Sequence, residues 1–135
     1  MADSTLVGLK AIIGRLRGFA ALTNIVPAAK IMSSIAQQTS FPYILVEFEG
    51  SPWMQDDDSN IQHKVTVHAF SDKNSPFVSM NAIKEVYNAL DRQESNISVD
   101  SGIVVLCIYD GLRTTFKEPD GNIWHSVIEF KLLID

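Results

Sequence analysis

Apolar residues recur first at helical spacing and then at alternate positions. Leu6, Leu9, Ile12, Ile13 and Leu16 fall three and four apart, which gathers them on one face of a helix, with Asp3 or Ser4 placed to cap its start. Gly14 and Gly18 weaken its later turns. Pro27 predicts the opening of a second short helix that contains Ile31, Met32 and Ile35. Phe41-Pro42 breaks the helical pattern, and from Tyr43 to Glu49 the period becomes two: Ile44, Val46 and Phe48 point one way, Glu47 and Glu49 the other. Residues 50–60 (GSPWMQDDDSN) read as a polar, acidic loop. Ile61 to Phe70 is a second strand, with Val65, Val67 and Ala69 on one face and Gln62, Lys64, Thr66 and His68 on the other.

Ser71 to Ser75 is a turn cluster, and Ser75-Pro76 is a helix start, with serine as cap and proline at the first helical position. Phe77, Met80, Ile83, Val86, Tyr87 and Leu90 then keep helical spacing to about Asp91. Gln93 to Gly102 is a connector with a short strand near Ile97 and Val99. Ile103 to Tyr109 is apolar on both faces, the pattern of a central strand covered on both sides. Asp110-Gly111 predicts a two-residue hairpin into a strand from Leu112 to Glu118. Pro119-Asp120-Gly121-Asn122 is a second turn, and the last strand, Ile123 to Ile134, carries Trp124, Ile128, Phe130, Leu132 and Ile134 on one face, with Trp124 in the core. The order of elements predicts a single α+β domain over residues 1–135: a mostly antiparallel sheet of four to five strands with helices on one face.

At 135 residues such a domain can bury a core without disulfides or metals. The formal charge of −5 argues against a nucleic-acid-binding surface, which needs a concentrated basic stripe; only Lys10, Arg15 and Arg17 group loosely. An acidic chain still suits a conduit through which DNA passes without sticking. The single Cys107 excludes an internal disulfide and, in an apolar run, reads as a small buried hydrophobe. The N-terminal residues lack a signal-peptide pattern, and no apolar stretch is long enough to span a membrane.

Candidate chemistry is sparse. His63 and His68 lie five apart on one strand, so they point to opposite faces and cannot share a metal; with His125 they read as surface or rim residues. Asp56, Asp57 and Asp58 lack the ligand spacing of a calcium loop and read as a solvated loop, or as a loop facing a channel lumen or a ring surface. There is no nucleophile elbow and no phosphate loop, and a Cys107–His125 dyad would put the thiol in mid-strand, where thiols are inert. No catalytic residue, metal site or cofactor is predicted. Trp53 and Met54, a large aromatic and a flexible apolar side chain in a polar loop, either plug the edge of the core or anchor an interface.

Taken together, these features resemble the tail-terminator, or tail-completion, family of long-tailed phages and gene transfer agents. The likeness is carried by Phe41-Pro42-Tyr43-Ile44, by the run His63 to Ser71 (HKVTVHAFS), by the helix Ile83 to Leu90 (IKEVYNAL), by Pro119-Asp120-Gly121 and by the closing strand His125 to Phe130 (HSVIEF). It runs from about Leu6 to the C-terminus, and the Trp53 to Asn60 loop and the Ala28 to Gln38 segment depart from it. The resemblance implies a non-enzymatic virion subunit, assembled in the bacterial cytoplasm, that forms a ring, usually a hexamer, at the head-proximal end of the tail. Such a ring caps the tube, stops polymerisation of the major tail tube protein and presents a surface to the head-completion, or stopper, protein. DNA passes through the lumen without specific binding, and no membrane is involved. Two other readings stand beside it: a head–tail connector or stopper subunit, and a small ligand-binding α+β module, which would need a concave pocket with convergent polar groups.

Overall fold

The computed structural model describes residues 4–34, 40–50, 61–72, 74–100, 102–119, 121 and 123–134. Helix α1 (Ser4–Arg17) is followed by a single turn, α2 (Ala20–Thr23), a 3-10 turn (Ala28–Lys30), and strands β1 (Ile31–Met32), β2 (Tyr43–Gly50) and β3 (Ile61–Asp72). Helix α3 (Pro76–Leu90), a 3-10 turn (Glu94–Asn96) and strands β4 (Val104–Lys117) and β5 (Ile123–Ile134) complete the order. The strands form one five-stranded sheet in the order β1-β2-β3-β5-β4. Among the described residues, only the β1–β2 pairing is parallel. This is the α+β architecture that the element order predicts.

The period-two pattern decides which side chains go inward. Ile44 and Val46 of β2, Val65, Val67 and Ala69 of β3, and Ile128, Phe130 and Leu132 of β5 are buried on the helix-bearing face. Onto them pack Ile12 and Leu16 of α1 and Ile83, Val86 and Leu90 of α3, in one continuous core. Glycine at position 8 lets α1 approach β2 closely: a Cβ there would come within 2.7 Å of the Phe48 ring.

Hydrogen bonds from the basic end of α1 fasten the neighbouring elements. Arg15 Nε donates to the Ala89 carbonyl at 2.8 Å, filling one of the acceptors that the end of α3 leaves open. Arg17 donates twice to the Ile31 carbonyl, at 3.0 and 2.7 Å. This explains one departure from the predicted elements. Pro27 precedes only a 3-10 turn, and Ile31-Met32 is extended, held by Arg17 and paired with Ile44 and Leu45. Ile35 lies outside the described residues.

Three further expectations are corrected. Residues 104–117 are one strand, not two strands and a hairpin: Gly111 takes a positive φ of 91°, and the register jumps from Tyr109↔Phe130 to Arg113↔Ile128. Asp110-Gly111 therefore makes a bulge, because both flanking segments pair with the same strand, β5. The apolar segment at its start is also not central. β4 is the outer strand, and Ile103, Val105, Leu112 and Phe116 remain exposed. Finally, Ile97 and Val99 follow the 3-10 turn without forming a strand. A turn after Glu118 does close the β4–β5 hairpin, with Glu118 N–H donating to the Ile123 carbonyl and Gly121 N–H to the Glu118 carbonyl.

Helix α3 begins as its sequence predicts, with Ser75 Oγ accepting from Phe77 N–H and proline next in the chain. Its buried stripe is rotated, however, onto Ser79, Ala82, Ile83, Val86, Ala89 and Leu90. Serine and alanine bring the helix close to the sheet, and the buried hydroxyl of Ser126 bonds both Ser79 (3.0 Å) and Thr115 (2.7 Å). Phe77 is left 67% exposed and Met80 44%. Met80 lies seven residues before Tyr87, on the flank where Tyr87 meets Tyr109 of β4. We expect Ile83→Ala to lower the unfolding free energy by about 2–5 kcal/mol. Phe77→Ser should change it by no more than about 0.5 kcal/mol. Urea titration of the two variants checks whether the inward and outward faces of α3 are as described.

Candidate assembly surface

The sheet face opposite α1 and α3 carries a row of rings that the strand register creates. Tyr43 of β2 lies opposite Phe70 of β3, Phe70 opposite His125 of β5, and His125 opposite Phe116 of β4. Their centroids are 4.9, 4.3 and 4.8 Å apart, and Phe41 extends the row at 5.5 Å from Tyr43. Pairs at such distances add about 0.5–1.5 kcal/mol each beyond the area they bury.

Next to this row runs a chain of titratable groups. Glu47 Oε1 lies 2.5 Å from His68 Nε2, His68 Nδ1 lies 2.7 Å from His125 Nε2, and His125 Nδ1 lies 2.8 Å from Glu118 Oε1. The four groups come from β2, β3, β5 and the end of β4, so the chain ties four strands together at the hairpin end of the sheet. Burial makes His125 a weaker base, as does the neighbouring His68, while the hydrogen bond to Glu118 and the carboxylate charges act the other way. Burial and the Glu118 charge raise the Tyr43 hydroxyl above its ordinary value.

The outer edge of β4 is closed over one half and open over the other. Before the bulge, Cys107 N–H donates to Glu94 Oε2 at 2.9 Å and Tyr109 N–H to Asp91 Oδ1 at 2.8 Å, while the Cys107 carbonyl accepts from Arg92 N–H at 2.7 Å. Alternate residues of an antiparallel edge turn their amides outward. The pairing keeps that alternation past the bulge, which turns Arg113, Thr115 and Lys117 outward, and among the described residues nothing closes them off. Exposed Leu112 and Phe116 lie along this half, and Met80 projects from the α3 flank on the β4 side.

The residues singled out in the sequence fall in different places. Trp53, Met54, Asp56, Asp57 and Asp58 lie outside the described residues. His63 and His68 do point to opposite faces, but His63 is fully buried against Phe48 (5.6 Å), not at a surface or rim. Its parity with Val65 and Val67 placed it on the inward face. Trp124 is half-buried with Lys117 Nζ 5.7 Å from its ring, a flank position in place of the expected core one. Cys107 is buried, and burial with the nearby Glu94 and Asp91 charges pushes its thiol up to about 12. It pairs with Leu132 while His125 pairs with Phe116, on the other face. Seven positions of β5 are about 23 Å, so no Cys107–His125 dyad forms.

A shallow depression lined by Ala11, Gly14, Arg15, Gly18, Asn96 and Ser98 has Arg15 as its one charged side chain, and that guanidinium is engaged by Ala89. Among the described residues no group of three or more His, Cys, Asp or Glu is arranged to hold a metal ion. No described helix is long and apolar enough to cross a membrane.

A chain in the virion of a native gene transfer agent particle has the same fold, with a TM-score of 0.80 over 98% of both chains at 12% identity. The sequence matches the model of the family described as tail completion protein gp17 over residues 10–135, and the chain belongs to that family. Among curated proteins no sequence matches it.

The lowered basicity of His125 has a sign that can be measured. Below the ordinary histidine value of 6.5 the unfolded chain takes up more protons than the folded one at this position, so its contribution to stability is full above about 6.5 and lost as the pH falls. His125→Phe keeps a ring in the stack without a titrating nitrogen. We expect its unfolding free energy to fall less steeply than that of the wild type between about pH 6.5 and 5, as read by urea denaturation.

Proposed function

We propose that the protein is a non-enzymatic tail-completion subunit, acting as one domain, that assembles into a ring, a hexamer, at the head-proximal end of a phage or gene-transfer-agent tail. The ring caps the tube, ends polymerisation of the major tail tube protein and offers its far side to the head-completion or stopper protein. DNA passes through its lumen. Assembly takes place in the bacterial cytoplasm. Membership of the tail-completion family and the fold shared with a gene transfer agent virion chain support this reading.

The observation that carries the reading is the half-open edge of β4. A closed ring needs two different, complementary patches on each subunit, because each contact is head-to-tail. A bare strand edge flanked by apolar side chains is a liability in a free monomer and a ready contact in an assembly. The sealed half, capped by Asp91 and Glu94, marks the contrast. Arg113 and Lys117 give the open half a basic character, and exposed Glu47 and Glu49 at the far side of the sheet supply the opposite charge. Trp53 and Met54 would add an apolar anchor, and Asp56, Asp57 and Asp58 would face the lumen or a ring surface, where negative charge keeps DNA from adhering.

Particles produced without this protein decide between a terminator and a connector or stopper. Electron microscopy should show overlong tails; full heads that leak DNA and lack tails would mean a stopper instead. In the same particles, the double variant Leu112→Ser/Met80→Ser should keep its fold by circular dichroism and fail to cap tails. Normal tails from that variant would remove the β4 edge from the assembly.

A further inference from the structure

We propose that His68 and His125 bind one shared proton as a unit, and that this singly protonated state locks the hairpin end of the sheet and the open half of the β4 edge. Three contacts at hydrogen-bond distance run in series from Glu47 through His68 and His125 to Glu118. An ionised carboxylate only accepts, so the outer two bonds use the His68 Nε2–H and the His125 Nδ1–H. A neutral imidazole has one N–H. With both rings neutral, two lone pairs face each other across the 2.7 Å between His68 Nδ1 and His125 Nε2. One ring can turn its hydrogen inward only by releasing its carboxylate, so at most two of the three bonds form.

One added proton completes the series and leaves the four groups with a net charge of −1. A second added proton sets N–H against N–H at the centre and again breaks the middle bond. The pair therefore titrates as a coupled unit with two well-separated steps, and the complete network exists only between them.

The surroundings favour a single positive charge. Glu47 and Tyr43 face the pair from β2 and Glu118 from the end of β4. Farther along the same face, Glu129 is engaged by Lys64 at 3.4 Å, and at the end of β3 Asp72 accepts from Asn74 N–H. Among the described residues no lysine or arginine pairs with either imidazole. The device reaches the edge through Phe116, whose ring lies tilted against His125 with centroids 4.8 Å apart and which is 40% exposed. Loss of the middle bond uncouples the His125–Glu118 pair, with Phe116 against it, from His68 and Glu47, next to the residues proposed for docking.

Long-range proton–nitrogen NMR of the imidazoles in the full-length protein tests this directly. Between the two steps, the four ring nitrogens of His68 and His125 should carry three hydrogens in all. The steps should lie more than about one pH unit apart. His125→Phe should merge the His68 titration into a single step. Amide exchange at 113–117, corrected for its intrinsic pH dependence, should be slowest between the wild-type steps. Independent titration of the two histidines, or both rings neutral throughout the neutral range with the fold intact, overturns the proposal. The wild-type titration decides the matter even if the variant does not fold.

Discussion

The pairing of β3 with β5 holds the molecule in register. It runs over twelve consecutive positions, from Ile61↔Ile134 to Asp72↔Ile123, without a bulge. A slip of one residue would turn Val65, Val67, Ile128 and Phe130 out to solvent and bring Lys64, Thr66 and Glu129 in, a cost no surface contact could offset. That constraint sets the two faces of the sheet. One is covered by α1 and α3, and the other carries Tyr43, Phe70, His125 and Phe116 in a row with His68 and the two carboxylates beside it. The proton-sharing chain is thus a by-product of packing: the core fixes the register, and the register places two imidazoles in contact.

The edges of the same sheet follow a different logic. An outer strand must hide its outward amides or have them paired by another chain. β4 does the first as far as its bulge, using the Asp91 and Glu94 carboxylates, and then stops. The bulge at Gly111 is the boundary between the two regimes. Exposed Leu112 and Phe116 lie along the unsealed half, and exposed Met80 lies on the α3 flank where Tyr87 meets β4.

The chain belongs to the tail-completion family and shares its fold with a gene transfer agent virion chain at 12% identity. The buried thiol at Cys107, pushed up to about 12, and the core position of His63 remove two nominal reactive groups from consideration. The remaining titratable cluster lies on an open sheet face, where side chains are tied to one another and not arranged around a cleft.

Local pattern alone determined the α+β class, the start of α3 at Ser75-Pro76, the inward faces of β2, β3 and β5, the turn after Glu118, and the separation of His63 from His68. Each depends on spacing within one element, where periodicity and capping chemistry act between near neighbours. Tertiary structure decided what neighbouring elements do to one another. The Asp110-Gly111 pair bends one strand because both halves find β5 as partner, and the apolar start of β4 is an edge because β5 lies between it and β3. The stripe of α3 turned away from Phe77 and Met80 because Ser79 and Ala82 fit closer to the sheet, and Ile31 was drawn into a strand by Arg17 and Ile44. His68 and His125 are fifty-seven residues apart in sequence. Only the register of two distant strands could bring them within 2.7 Å, and no local spacing carries that information.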